Sequence, residues 1–134
     1  MKRFLAIAGL LLAVSGVSQA QSLSFLTNQA PDGAIIEYQL TNGAVMVQGY
    51  NANDFWKLTP DIHGSYLNGT WTQLANLPSG YDPYANASAV LADGRVVIMG
   101  GEYNYYYFTL THLGAIYDPT TDTWTRLATK ILAI

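Results

Sequence analysis

The chain has 134 residues, half of them apolar and 11% charged, with no cysteine and a formal charge of −3. The missing cysteine rules out a disulfide framework, a thiolate metal site and a thiol nucleophile. The acidic balance lacks the basic footprint that nucleic acid requires.

Met1-Lys2-Arg3 is a short basic start, and Phe4 to Val14 is an apolar run too short to span a bilayer comfortably. Ser18-Gln19-Ala20 fits the small-x-small cleavage rule, so residues 1–20 read as a signal peptide cut after Ala20. The mature chain keeps Lys57, Arg95, Arg126 and Lys130 against all nine acids, a net charge of about −5. No stable membrane anchor is expected once the leader is removed, and the expected location is secreted or periplasmic.

Beyond the leader, helical periodicity gives way to short β-rich runs between turn pairs. Residues 21–31 form an N-terminal segment. Within it, Phe25-Leu26-Thr27-Asn28 resembles Gln73-Leu74-Ala75-Asn76, which suggests a lone outer strand ahead of the first complete unit. In residues 32–78, strands are expected over 34–40, 44–48, 54–59 and 70–75, with Asn42-Gly43 as a tight hairpin turn. In residues 79–130 they are expected over 87–91, 95–99, 113–117 and 123–127, with Asp93-Gly94 as a two-residue turn. Residues 95–99 are nearly all apolar, so burial on both faces is expected. Asp118-Pro119-Thr120-Thr121-Asp122 is a further turn, with Pro fixing φ and Asp bonding backbone. Residues 131–134 are an apolar tail.

The two units repeat. Leu40 to Gly49 matches Leu91 to Gly100, and a Trp-Thr-x-Leu-Ala block follows each, from Trp71 and from Trp124. The spacing drifts only from 51 residues at the glycines to 53 at the tryptophans, with length changes confined to loops. A strand-built period of about 50 residues is the mark of propeller blades.

Gly100-Gly101, Tyr117-Asp118-Pro119 and Trp124-Thr125 resemble the kelch motif, a diglycine after strand two, a tyrosine on strand three and a tryptophan on strand four. The first unit departs from it, with Tyr50 in place of the second glycine and Leu58 in place of the tyrosine. The resemblance spans about residues 32–128 and is similar to exported bacterial kelch-repeat proteins and the galactose-oxidase central domain. It implies an all-β fold, a kelch-type β-propeller of which this sequence supplies about two four-stranded antiparallel blades of an incomplete ring. Gly49, Gly100, Gly101, Tyr117, Trp71 and Trp124 then have structural roles, the glycines admitting close backbone approach and the tryptophans filling the gap between blades. Two blades leave open faces and edges, so a truncated product is expected, completed by missing blades or by self-association.

Galactose-oxidase chemistry needs a cysteine crosslinked to tyrosine, which this sequence cannot form. His63 and His112 fall in loops at opposite ends of their blades, so no shared metal is expected. A sialidase-like arginine cluster is missing from the mature sequence, and Ser65 to Trp71 falls one residue and an Asp short of an Asp-box turn. No catalytic residue and no cofactor are expected. The glycosylation triplets at Asn68 and Asn86 are short enough to recur by chance. The unusual feature is aromatic: Tyr103, Tyr105, Tyr106, Tyr107 and Phe108 in a strand-two-to-three loop, with Tyr81, Asp82 and Tyr84 in the inter-blade connection on the same face. Tyrosines there offer area with a polar tip, and Glu102 and Asp82 offer acceptors. The expectation is a non-catalytic scaffold binding a protein or glycan. The alternatives are an extended third strand, a loop packed on the missing neighbour blade, or part of a propeller enzyme with its catalytic residues on other blades.

Overall fold

The computed structural model describes residues 23–128. The leader and the tail, with Thr129 and Lys130, lie outside the described residues. Two four-stranded antiparallel sheets carry the fold. Blade 1 runs β1 (Ile36–Gln39), β2 (Val45–Gln48), β3 (Phe55–Thr59) and β4 (Thr70–Gln73), paired in sequence order. Blade 2 pairs β6 (Ala87–Val90), β7 (Val96–Met99), β10 (Gly114–Asp118) and β11 (Thr123–Arg126). Between β7 and β10 the chain makes a hairpin of β8 (Tyr103–Asn104) and β9 (Tyr107–Phe108). With β5 (Pro83–Tyr84) of the inter-blade connection it forms a small third sheet, ordered β5-β8-β9.

The alternation of side chains sorts each blade into two faces. In blade 1, Tyr38, Met46 and Lys57 share a row, and Gln48 pairs with Phe55, so these residues point toward blade 2. In blade 2, the row Val90, Val96, Tyr117 and Trp124 and the row Ser88, Ile98, Ala115 and Arg126 point back. Tyr38, Met46, Phe55, Val96, Ile98, Ala115 and Tyr117 are buried together in one core between the blades. Trp124 wedges into it, its ring 4.9 Å from Phe55 and 5.1 Å from Tyr117. Its indole Nε1 donates to Ala75 O at 2.9 Å. Asp122 Oδ1 accepts from the Ala75 N–H at 3.0 Å and from the Tyr117 hydroxyl at 2.8 Å, tying the same seam. Fully buried Gln48 is a second tie. Its Nε2 donates to Ala52 O at 2.6 Å and Pro83 O at 3.0 Å, and its Oε1 accepts from Asn86.

Trp71 occupies the matching position on the other face of blade 1, donating from Nε1 to Asn28 O at 2.9 Å. Its neighbours are the 23–34 segment and a hollow of about 530 Å³ lined in part by Leu26, Val45 and Leu58. Residues 25–28 hold the site of a preceding outer strand without forming one: Thr27 N–H donates to Leu67 O, but no ladder follows.

Two expectations need correction. The turns at Asn42-Gly43 and Asp93-Gly94 are three-residue loops. In each, the leucine before the loop (Leu40 or Leu91) accepts the glycine N–H and donates its own N–H to the residue after the loop, Ala44 or Arg95, and only the glycine has positive φ, +86° at Gly43 and +90° at Gly94. Asn42 and Asp93 stay at negative φ and accept a backbone N–H two residues on, at Ala44 and Arg95. A turn closed by one left-handed glycine suits this loop length, so the two-residue geometry is unnecessary. The second correction concerns 95–99. Val96 and Ile98 are buried, whereas Val97 and Met99 are half-buried on a face shared with exposed Ala87 and Ala89. The apolar run has one core face and one face open to solvent.

Candidate functional site

The site is built from the bottom by the diglycine. Gly100 has φ +66° and Gly101 φ +143°, which turns the chain sharply out of β7. A Cβ at Gly101 would lie 3.0 Å from Pro83 Cβ and 3.1 Å from the carbonyl oxygens of Tyr84 and Tyr103, so this glycine lets the inter-blade connection and the β8–β9 hairpin close on each other. Gly49, at the same point of blade 1, serves close approach alone: its added Cβ would meet Asp32 Oδ2 at 2.5 Å.

The hairpin turns at Tyr105-Tyr106. Both have positive φ, +52° and +66°, and the flanking Asn104 and Tyr107 are paired, which is a two-residue turn of the I′ kind. That turn normally takes Asn and Gly. Two tyrosines in it are strained, a cost of about 1–3 kcal/mol each. The turn is held by Asn104, whose Oδ1 accepts the Asp82 N–H at 2.8 Å, and by Tyr105, whose hydroxyl accepts the Gly80 N–H at 2.8 Å.

Register places Tyr84, Tyr103 and Phe108 in one row across the small sheet. Tyr106 folds back against Tyr84, with ring centroids 5.2 Å apart and planes at 44°, and Tyr103 meets Phe108 edge-on at 5.7 Å. Tyr84, Tyr103 and Tyr106 together line a hollow of about 290 Å³. The Tyr84 hydroxyl donates to Tyr50 O across the seam, which fixes the ring. Burial, then the neighbouring Tyr106 and the Asp82 charge, push its phenol well up, so it stays a neutral donor. Tyr106, Tyr107 and Phe108 are 64%, 76% and 71% exposed, and Leu110 continues the apolar strip.

The eight residues singled out in the sequence divide. Tyr84, Glu102, Tyr103, Tyr105, Tyr106 and Tyr107 are gathered on or beside the small sheet with surface to offer. Tyr81 is not: it is 1% exposed in the inter-blade core, and its hydroxyl donates to Gly100 O at 2.8 Å. Its bulk fills the space beneath the connection, which makes it a pillar of the site and removes it from the contact surface. Asp82 is buried as well, at 4% exposure, and its Oδ1 has no hydrogen-bond partner among the described residues. Burial first, and then the charge of Asp54, raise its carboxyl above the ordinary aspartate value. Asn104, Gln48 and Phe108 hold or extend the site without a motif that marks them. His63 lies in the loop after β3 and His112 in the stretch before β10, at opposite ends of their sheets. Among the described residues, no three His, Asp or Glu side chains come together in a way that could hold a metal ion.

No protein-family model matches the chain. It is 32% identical over 93 residues to the Kelch-like protein terF of Aspergillus terreus, an alignment that covers 68% of this chain and 16% of that protein. Among solved structures it is similar to a fungal alcohol oxidase of the AA5 family in complex with copper, with a TM-score of 0.50 and 24% identity over 66% of this chain and 17% of the oxidase. The chain thus spans about a sixth of the length of the relatives it matches. The likeness to the Kelch-like protein and the paired four-stranded antiparallel sheets show that the chain belongs to the kelch-repeat β-propeller family.

Proposed function

We propose that this chain acts outside the cytoplasm as a non-catalytic binding scaffold, with the β8–β9 hairpin and β5 as its contact surface for a protein or glycan. The observation that carries this reading is the turn at Tyr105-Tyr106. Two tyrosines in left-handed backbone cost stability that Asn-Gly would spare, and strain of this kind concentrates at functional sites. The rings held there are mostly exposed, and exposed aromatic clusters with polar tips favour recognition. Replacing Tyr105, Tyr106 and Tyr107 together by Ser tests it: binding to hits from a glycan array or to an identified protein partner should weaken at least tenfold. Unchanged affinity would refute the assignment. Export rests on residues 1–20, and N-terminal sequencing of secreted or periplasmic protein should begin at Gln21.

A second reading follows from the likeness to a copper-containing oxidase: a propeller enzyme whose catalytic residues stand on other blades. The open face around Val97 and Met99 suits either further blades or self-association. Downstream coding sequence with further kelch units and a histidine or arginine–acid constellation would favour the enzyme. A discrete oligomer by analytical ultracentrifugation would favour self-association.

A further inference from the structure

We infer that the hollow between Tyr84, Tyr103 and Tyr106 is a site for an alkylated ammonium group, such as the trimethylammonium of a choline-like solute or lipid headgroup. This rests on the reading of the tyrosine sheet as a binding surface and names the chemistry it takes.

Three observations carry it. The walls are three tyrosine rings, two of them packed together at 44° with centroids 5.2 Å apart, and they border one open space of about 290 Å³. A ring face is electron-rich, and several faces turned on one point attract a cation that has no N–H to donate. The second observation is preorganisation. Tyr84 is pinned by its bond to Tyr50 O, and the Tyr106 ring packs against it from a backbone set by the turn, so less side-chain freedom is lost on binding. The third is charge. Asp82 lies immediately before β5, buried and with one carboxylate oxygen unpartnered, close enough for its charge to act on Tyr84. Asp54 acts on Asp82 in turn, and Glu102 stands beside Tyr103. The Arg126 guanidinium is engaged with Ser79 O, beside Gly80. An aromatic hollow with a carboxylate close enough to act on one of its walls suits a soft cation. A pyranose is the weaker fit, because it asks for several convergent hydrogen-bonding groups and the walls offer few.

The test titrates the purified protein with choline and with 3,3-dimethylbutan-1-ol, its uncharged carbon isostere, following tyrosine ring resonances by NMR. Choline should shift the Tyr84, Tyr103 and Tyr106 rings and bind about 2- to 30-fold more tightly than the isostere. Tyr106→Phe should stay within about twofold of wild type, since the ring face remains, and Tyr106→Gly should weaken choline by about 2- to 30-fold. Glycine suits the φ of +66° at that position, so the fold is spared. Asp82→Asn should weaken choline and leave the isostere unchanged. Equal affinity for choline and isostere, or shifts confined to other residues, overturns the proposal. If glycan or protein binding still depends on Tyr105–Tyr107 in that event, the scaffold reading stands alone. Sedimentation with phosphatidylcholine vesicles, but not with phosphatidylglycerol vesicles, would make a headgroup the source. Choline binding without sedimentation would make it a free solute.

Discussion

Replacing Trp124 by Ala removes the wedge between the blades, and the structure sets the size of the loss. The ring makes two tilted aromatic pairs, with Phe55 and Tyr117, worth about 0.5–1.5 kcal/mol each. Its Nε1 bond to Ala75 O adds about 1 kcal/mol. Trp124→Ala should therefore cost about 2–4 kcal/mol, toward the lower part of the range for a large aromatic removed from a core, because the residue is half-buried. Trp124→Phe keeps the wedge and loses the bond, at about 1–2 kcal/mol. Trp71 is the internal control. It makes the same kind of bond, to Asn28 O, but borders a hollow of about 530 Å³ and has no aromatic partner among the described residues. Trp71→Ala should cost about 1–2 kcal/mol. Urea unfolding followed by circular dichroism on all three variants measures the differences. If Trp71→Ala costs as much as Trp124→Ala, the aromatic seam is not what joins the blades, and the reasoning fails.

Ile98→Ala, in the middle of the shared core, should cost about 2–5 kcal/mol in the same unfolding assay, and a loss under 1 kcal/mol would mean the blades do not pack as described. Gly43→Ala and Gly94→Ala both place a side chain at a φ near +90°, a penalty of about 1 kcal/mol. An added Cβ at Gly43 meets nothing, and one at Gly94 meets Thr41 Oγ1 at 2.7 Å, so Gly94→Ala should cost the more of the two; the reverse order counts against the turn geometry. The folded-state pKa of Asp82 is raised, so its contribution to stability is full below the unfolded value and is lost as pH rises through the folded one. Asp82→Asn should accordingly gain on wild type as pH goes from about 4 to 7, read from denaturation midpoints, and a difference that stays constant with pH would contradict the buried, unpartnered carboxylate.

The paired blades were legible because the signals are local. Glycine after a short turn, alternating apolar positions and a tryptophan at fixed spacing each dictate backbone or face within a few residues, and β2 and β7 lie within one residue of where the apolar runs place them. The candidate site was legible only in outline. Tyr81 and Tyr105 look alike in sequence, an aromatic residue among turn formers, yet one is a core pillar and the other caps a strained hairpin. What separates them is the chain on the other side: Gly100 O receives the Tyr81 hydroxyl, and the Gly80 N–H donates to that of Tyr105. The two-residue hairpin was misplaced for a related reason. Asn-Gly and Asp-Gly advertise such a turn, while Tyr105-Tyr106 forms one because β5 and Asn104 hold it there.

By itself, the sequence determined the repeat, the all-β blades and the aromatic richness of one loop, because each depends on residue type at short range. Only the tertiary structure decided which tyrosines face solvent, that β5 completes the β8–β9 sheet, and that Asp82 is buried. Those outcomes come from packing between segments about 20 residues apart, where a single close approach, such as that of Gly101 to Pro83, sets which side chains share a surface.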